Sequence, residues 1–175
     1  MRRLALLILA LVVAMLGFTT SASAAITTTV NFANAPTGTH FQVGTARCST
    51  NGLVVTCSGF ELAGVGNTDA VASLDVTYAA TVQCRNHGGQ IVEVHSQNVT
   101  VSSSTGTIEA KNGRLAVPEL TSAPAPTAAQ FEALATCPNP NWTTEVLASS
   151  IRIASFRYTL TFVGFANPAI TITGP

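Results

Sequence analysis

Residues 70–84 read AVASLDVTYAATVQC. Leu74, Val76, Tyr78, Ala80, Val82 and Cys84 fall on one parity, while Ser73, Asp75, Thr77, Thr81 and Gln83 fall on the other. Side chains alternate across a strand, so the pattern predicts a long strand with one face in a core and one toward solvent. The same period of two recurs on both sides. Ile26, Thr28, Val30 and Phe32 alternate near the start, and Phe156, Tyr158, Leu160 and Phe162 oppose Arg157, Thr159 and Thr161 near the end. Further strands are predicted over 39–50, 53–60, 91–101, 105–110, 114–117, 145–153 and 169–173. Turn sequences separate them, among them Ala35-Pro36-Thr37-Gly38, Gly64-Val65-Gly66-Asn67, His87-Gly88-Gly89, Lys111-Asn112-Gly113 and Asn167-Pro168. Short Thr- and Val-rich strands at this spacing predict an all-β fold, an antiparallel immunoglobulin-like β-sandwich of about 7–9 strands.

One stretch departs from the strand pattern. Pro118 to Pro126 is rich in Pro and Ala and reads as a crossover between two sheets. Thr127-Ala128-Ala129-Gln130, followed by Phe131, Leu134 and Ala135, fits a capped turn or two of helix, or an ordered loop. Next, Pro138 and Pro140 remove backbone donors from Cys137-Pro138-Asn139-Pro140-Asn141-Trp142, which keeps that segment out of a sheet interior.

The four cysteines are Cys48, Cys57, Cys84 and Cys137. An even number in an oxidising compartment implies two disulfides, with three possible connectivities. Strand register selects one. An Asn51-Gly52 type I′ turn would set Cys48 opposite Val55. A Gly52-Leu53 type II′ turn, with Gly in the first central position, sets Cys48 opposite Cys57. Counting outward, Cys48 and Cys57 then form a non-hydrogen-bonded pair with Cα atoms about 4.5 Å apart, within disulfide range. Cys48–Cys57 is therefore predicted, and Cys84–Cys137 follows by elimination. The second bridge closes a loop of roughly 50 residues and is worth on the order of 4 kcal/mol in the chain-entropy picture. No C-x-x-C occurs, and no metal site of four thiolates is expected.

Ahead of the strands, Arg2 and Arg3 precede an apolar run from Leu4 to Phe18, and small residues follow as far as Ala22-Ser23-Ala24. A charged start, a short apolar stretch and an A-x-A site predict a secretory signal peptide over residues 1–24, cut between Ala24 and Ala25. The run is shorter than the roughly 20 residues that span a bilayer. Residues 25–175 are then a single exported β-sandwich domain, released to the outside with no membrane contact after cleavage. Over the whole chain, Lys and Arg together number 8 and Asp and Glu together number 8, and charged residues make up 9%. Soluble domains carry about 25%, so a broad electropositive surface for nucleic acid is excluded as an expectation. Removal of residues 1–24 takes Arg2 and Arg3, leaving six basic residues against eight acidic ones and a formal net charge of −2.

Val55-Thr56-Cys57-Ser58-Gly59, Ala63-Gly64-Val65-Gly66-Asn67, Cys84-Arg85-Asn86-His87-Gly88-Gly89 and Cys137-Pro138-Asn139-Pro140-Asn141-Trp142 lie in this order along the chain. Together they resemble a group of small secreted actinobacterial proteins of uncharacterised function. The resemblance implies a bacterial source and a four-cysteine framework, and it implies no activity. Each motif also has a structural use, since Cys, Gly, Asn and Pro serve bridges and turns.

The sequence carries no G-x-S-x-G elbow, no P-loop, no dinucleotide fingerprint and no H-E-x-x-H. A triad would draw on His40, His87 or His95 with Asp69 or Asp75, and spacing alone does not decide it, since triads are recognised by geometry. Glu93 and His95 stand two apart on one strand face, the one spacing that suits a metal. They are expected to face solvent, opposite an apolar Val92 and Val94. The eight carboxylates are scattered. No cofactor, metal or catalytic residue is assigned. Trp142, the single tryptophan, lies in the Pro-containing loop and is expected near Asn86 and His87, which makes those three a candidate binding patch. The sequence thus predicts an extracellular binding or interaction module, not an enzyme, monomeric or weakly oligomeric, whose partner is a protein or a polysaccharide. The rivals are a small secreted hydrolase of glycosidase or esterase type, and a protease-inhibitor-like protein presenting residues 137–142.

Overall fold

The computed structural model describes residues 25–175, with the side chains of Glu93 and Ala148 excepted; the expected leader over 1–24 lies outside the described residues. Alternation in residues 70–84 produces a strand that extends one residue further, β6 (Ala70–Arg85). Its even positions from Ala70 to Cys84 are all buried. A strand this long can hold several partners. On one side it pairs antiparallel with β7 (Ile91–Ile108), and on the other with β11 (Arg152–Phe162) and then β10 (Thr143–Val146). Strand β12 (Ile170–Gly174) pairs with β11, and β1 (Thr27–Val30) pairs with β12, completing a six-stranded antiparallel sheet.

Two three-stranded antiparallel sheets cover its apolar face. One joins β2 (His40–Val43), β5 (Phe60–Ala63) and β8 (Arg114–Val117), and the other joins β3 (Cys48–Asn51), β4 (Val54–Cys57) and β9 (Leu120–Thr121). Val55, Leu62 and Leu115 from this layer are fully buried in one cluster with Leu74, Val76, Leu160, Ile170 and Ile172 of the large sheet. Burial of side chains of this size contributes about 1.5–3 kcal/mol each, and the shared cluster holds the two layers together as a sandwich.

Several boundaries differ from expectation, for identifiable reasons. The run over 39–50 divides into β2 and β3 because Gly44 adopts φ +66° between them and sends the chain from one small sheet to the other. The run over 53–60 likewise divides between β4 and β5. Conversely, 91–101 and 105–110 fuse into β7, which absorbs the offset as a register shift opposite Val71 and Ser73. A 3₁₀ turn over Ala148–Ser150 divides 145–153 between β10 and β11. The Pro/Ala crossover contains β9, which pairs Leu120 with Cys57. Beyond it lies a short helix, α1 (Ala128–Glu132), where Gln130 Oε1 accepts from the Thr127 N–H at 2.8 Å. Phe131 anchors that helix in the core.

Both disulfides form as the register requires. Asn51 opposes Val54 and Cys48 opposes Cys57, with Cα atoms 4.0 Å apart. Gly52 has φ +58° while Leu53 is not in the left-handed region, the signature of the Gly52-Leu53 type II′ turn. Cys84–Cys137 ties the end of β6 to the Pro-containing loop. Gly64 marks the tightest approach of two segments: a Cβ there would lie 2.1 Å from the Gly38 carbonyl oxygen, so only glycine fits.

The two buried tyrosines are not equivalent. The Tyr78 hydroxyl donates to the Leu53 carbonyl at 2.8 Å, linking the large sheet to the β3–β4 turn. Tyr158, 1% exposed, has a hydroxyl with no hydrogen-bond partner among the described residues, and burial pushes its phenol above the usual range. Tyr78→Phe is expected to destabilise by about 1 kcal/mol, whereas Tyr158→Phe is neutral or stabilising, because it removes an unpaired polar group. The folded state resists ionisation of Tyr158, so that group's stability contribution is intact below the ordinary phenol value of about 10 and falls as pH rises above it. Urea denaturation at neutral and alkaline pH, comparing wild type with each variant, measures both effects.

Candidate functional site

Register places the polar parities of five strands on the outer face of the large sheet. Directly opposed residues share a side, and following the pairs across the sheet gives rows. One row runs Thr29, Thr171, Thr159, Ser73, Ser104, five hydroxyls on five adjacent strands. The next runs Thr27, Thr173, Arg157, Asp75, Ser102, and a shorter one runs Ser155, Thr77, Thr100. At a strand spacing of about 4.8 Å the longest row spans roughly 19 Å. Thr77 and Thr100 hydrogen-bond each other at 2.8 Å, and the Ser102 hydroxyl donates to Asp75 Oδ1. Thr29, Thr171, Thr159 and Ser73 make no side-chain hydrogen bond among the described residues, so their hydroxyls point outward unsatisfied except by water. Sequence reasoning missed this face. The alternating threonines of each strand were visible, but their adjacency depends on β1 and β12, from opposite ends of the chain, lying side by side.

The expected loop patch sits at one end of the sandwich. Thr143 opposes Arg85, so the half-buried Trp142 and Asn86 each come one residue beyond the same end of the β6–β10 pair. Asn86 is committed to its turn: its Oδ1 accepts from the Gln90 N–H at 2.9 Å and its Nδ2 donates to Gln90 Oε1 at 3.2 Å. His87 is exposed at the tip of that turn. In the neighbouring loop, Pro138, Asn139, Pro140 and Asn141 are exposed, and the Trp142 N–H donates to the Asn139 carbonyl at 3.0 Å.

Beside the patch lies an unforeseen polar cluster. Gln83 is buried although its parity is the outer one, because it sits beneath the Arg85–Glu145 pair. Glu145 Oε2 accepts from Gln83 Nε2, Arg85 Nε and Arg85 Nη2, each at 2.9 Å, and Arg85 Nη1 donates onward to the Gly89 carbonyl. Hydrogen bonds from Gln83 and Arg85, with the Arg85 charge, hold the Glu145 carboxyl below the usual carboxylate range. The cluster therefore clamps the 86–90 turn to β10.

Val92, Val94 and His95 face the reverse of the expected way. Val92 and Val94 are exposed, at 43% and 58%, and His95 is half-buried with its Nε2 inside the protein. Register explains this: Glu93 opposes Cys84 and His95 opposes Val82, both inward positions of β6, while Val94 opposes the outward Gln83. The remaining triad material is engaged locally. His40 Nδ1 bonds the Gly38 carbonyl, and Asp69 Oδ1 accepts from the Ala110 N–H. Among the described residues no group of three or more His, Cys, Asp or Glu could hold a metal ion. A cleft of about 480 Å³ opens at the β3–β4 turn, lined by Thr50, Gly52, Leu53, Ile151, Arg152, Ile153 and Pro175. Compared with known proteins, the chain matches no family model, no curated protein and no solved structure.

Because Glu145 is held below its ordinary value, the clamp is present at neutral pH and is lost as pH falls through the depressed value. Two-dimensional NMR titration of the Glu145 carboxyl is expected to give a midpoint below the ordinary glutamate value of about 4.3, and Arg85→Met raises it toward that value. The 86–90 turn resonances should shift with the same midpoint.

Proposed function

We propose that the protein is a secreted, disulfide-stabilised binding module whose working surface is the hydroxyl-bearing outer face of the large sheet, and whose ligand is a neutral polysaccharide. The five-hydroxyl row carries this reading. Ser104 is bonded to Ala72 and Gly106, but the other four hydroxyls, of Thr29, Thr171, Thr159 and Ser73, find no partner among the described residues and suit a ligand that is itself rich in hydroxyls, because each can donate and accept without desolvating a charge. Within these rows the charged pair Arg157 and Asp75 is internally balanced, so a charged polymer would gain little there. Export is supported by the leader-like residues 1–24 and by the two disulfides. No helix among the described residues is long and apolar enough to cross a membrane. The immunoglobulin-like description belongs to the same proposal. The patch of Asn86, His87 and Trp142 is the alternative surface, with Trp142 as its stacking group.

A sedimentation pull-down of residues 25–175 on insoluble cellulose and chitin separates the two surfaces. Wild type is expected to bind, and to stay bound as salt is raised, because no ion pair is involved. Thr159→Val with Thr171→Val removes two hydroxyls while keeping shape, and lowers the bound fraction several-fold; Trp142→Ala leaves it unchanged. Binding no greater than that of an unrelated β-sandwich, or undiminished in the double variant, contradicts the proposal.

A further inference from the structure

The two edges of the large sheet differ. β1 is four residues long, whereas β7 is 18 residues long and pairs only with β6. Between the two register shifts, residues 93–104 lie in unbroken register against residues 84–73 of β6. Among the described residues, the backbone of Val94 and of residues 96–104 makes no hydrogen bond to an element other than β6. Every second N–H and C=O along this stretch therefore points out of the sheet. Natural sheets blunt such edges with short strands, Lys, Pro or bulges. Residues 93–104 read EVHSQNVTVSSS and contain no Lys, Arg, Pro or Gly.

We propose that β7 is an interface between two copies of this chain, joined edge to edge in antiparallel register about a twofold axis at Asn98. An isologous contact of this kind needs a strand compatible with its own reverse. Axes at Asn98 and at Val99 give the longest overlaps of the regular stretch, eleven residues on each copy (93–103 or 94–104), and we take the Asn98 axis, which also brings Glu93 into the pairing. It sets Glu93 opposite Ser103 and His95 opposite Val101, so no like charges face each other. Moving the axis toward Glu93 would shorten the overlap and bring the two Glu93 residues together. The chosen register also sets the exposed Val94 against Ser102 of the second copy, removing part of an apolar surface from water. The two large sheets become one continuous sheet of twelve strands, with Thr100 of one copy beside Ser96 of the other. The outer face is thereby extended, although the pairing does not depend on what that face binds.

Asn98 is exposed on the outer face and lies on the axis, so substitution there opposes a residue with its own copy. Sedimentation velocity on residues 25–175 is expected to show a concentration-dependent dimer. Asn98→Lys and Asn98→Asp each weaken self-association several-fold by facing like charges, with circular dichroism unchanged. An equimolar mixture of the two variants restores the dimer, because Lys then faces Asp. A wild-type chain that stays monomeric at the highest soluble concentration, or an Asn98→Lys variant that dimerises as well as wild type, overturns the proposal; so does a mixture that associates no better than its components.

Discussion

Pairing on both sides of β6 sets the register of the whole large sheet. Its inner side chains, from Ala70 to Cys84, are all buried, so a slip of one residue would turn that apolar set to solvent and bring Asp75 and Thr77 into the core. With the register fixed, β11 and β7 can each align in one way, and β12 and β1 inherit their positions from β11. The Cys84–Cys137 bridge fastens the far end of the same strand to a segment whose prolines keep it out of a sheet.

That constraint divides the molecule's chemistry between two faces. The inner face holds Leu, Val, Ile, Phe and two tyrosines against the covering layer, and the outer face carries hydroxyls in rows. Charge is scarce and mostly used internally: Arg85 with Glu145, Arg114 with Glu61, and Asp75 with Ser102. The first two pairs are partly exposed and contribute modestly to stability, yet Arg85 and Glu145 also fix the turn that presents His87. The long free edge of β7 is the exception to this economy, since nothing in its sequence discourages a further strand.

Local order was legible in the sequence wherever the deciding contact was itself local. The period of two found β6, and the Gly52 turn found the Cys48–Cys57 pair, because each depends on residues close in the chain. The sequence was silent where long-range pairing decides. Val92 and Val94 read as inward residues on hydrophobicity alone, yet the alignment of His95 with Val82 turns them outward. Gln83 reads as a solvent residue and is buried because β10 sets Glu145 across from it. The hydroxyl rows required knowing that β1 and β12 meet, which no local pattern encodes. The Gly44 break was passed over although it has a local mark, since the apolar parity changes there from Phe41 and Val43 to Ala46 and Cys48.

Native-state hydrogen exchange tests the central place of β6 most directly. Amides of β6 between Ala72 and Val82, together with those of β11 that pair with them, should be the slowest in the molecule. They should exchange only by global unfolding, with one common free energy, while β1 and the β3–β4 hairpin open at lower free energies. Exchange of the β6 amides through local openings, or greater protection in the disulfide-closed hairpin than in β6, would contradict the account.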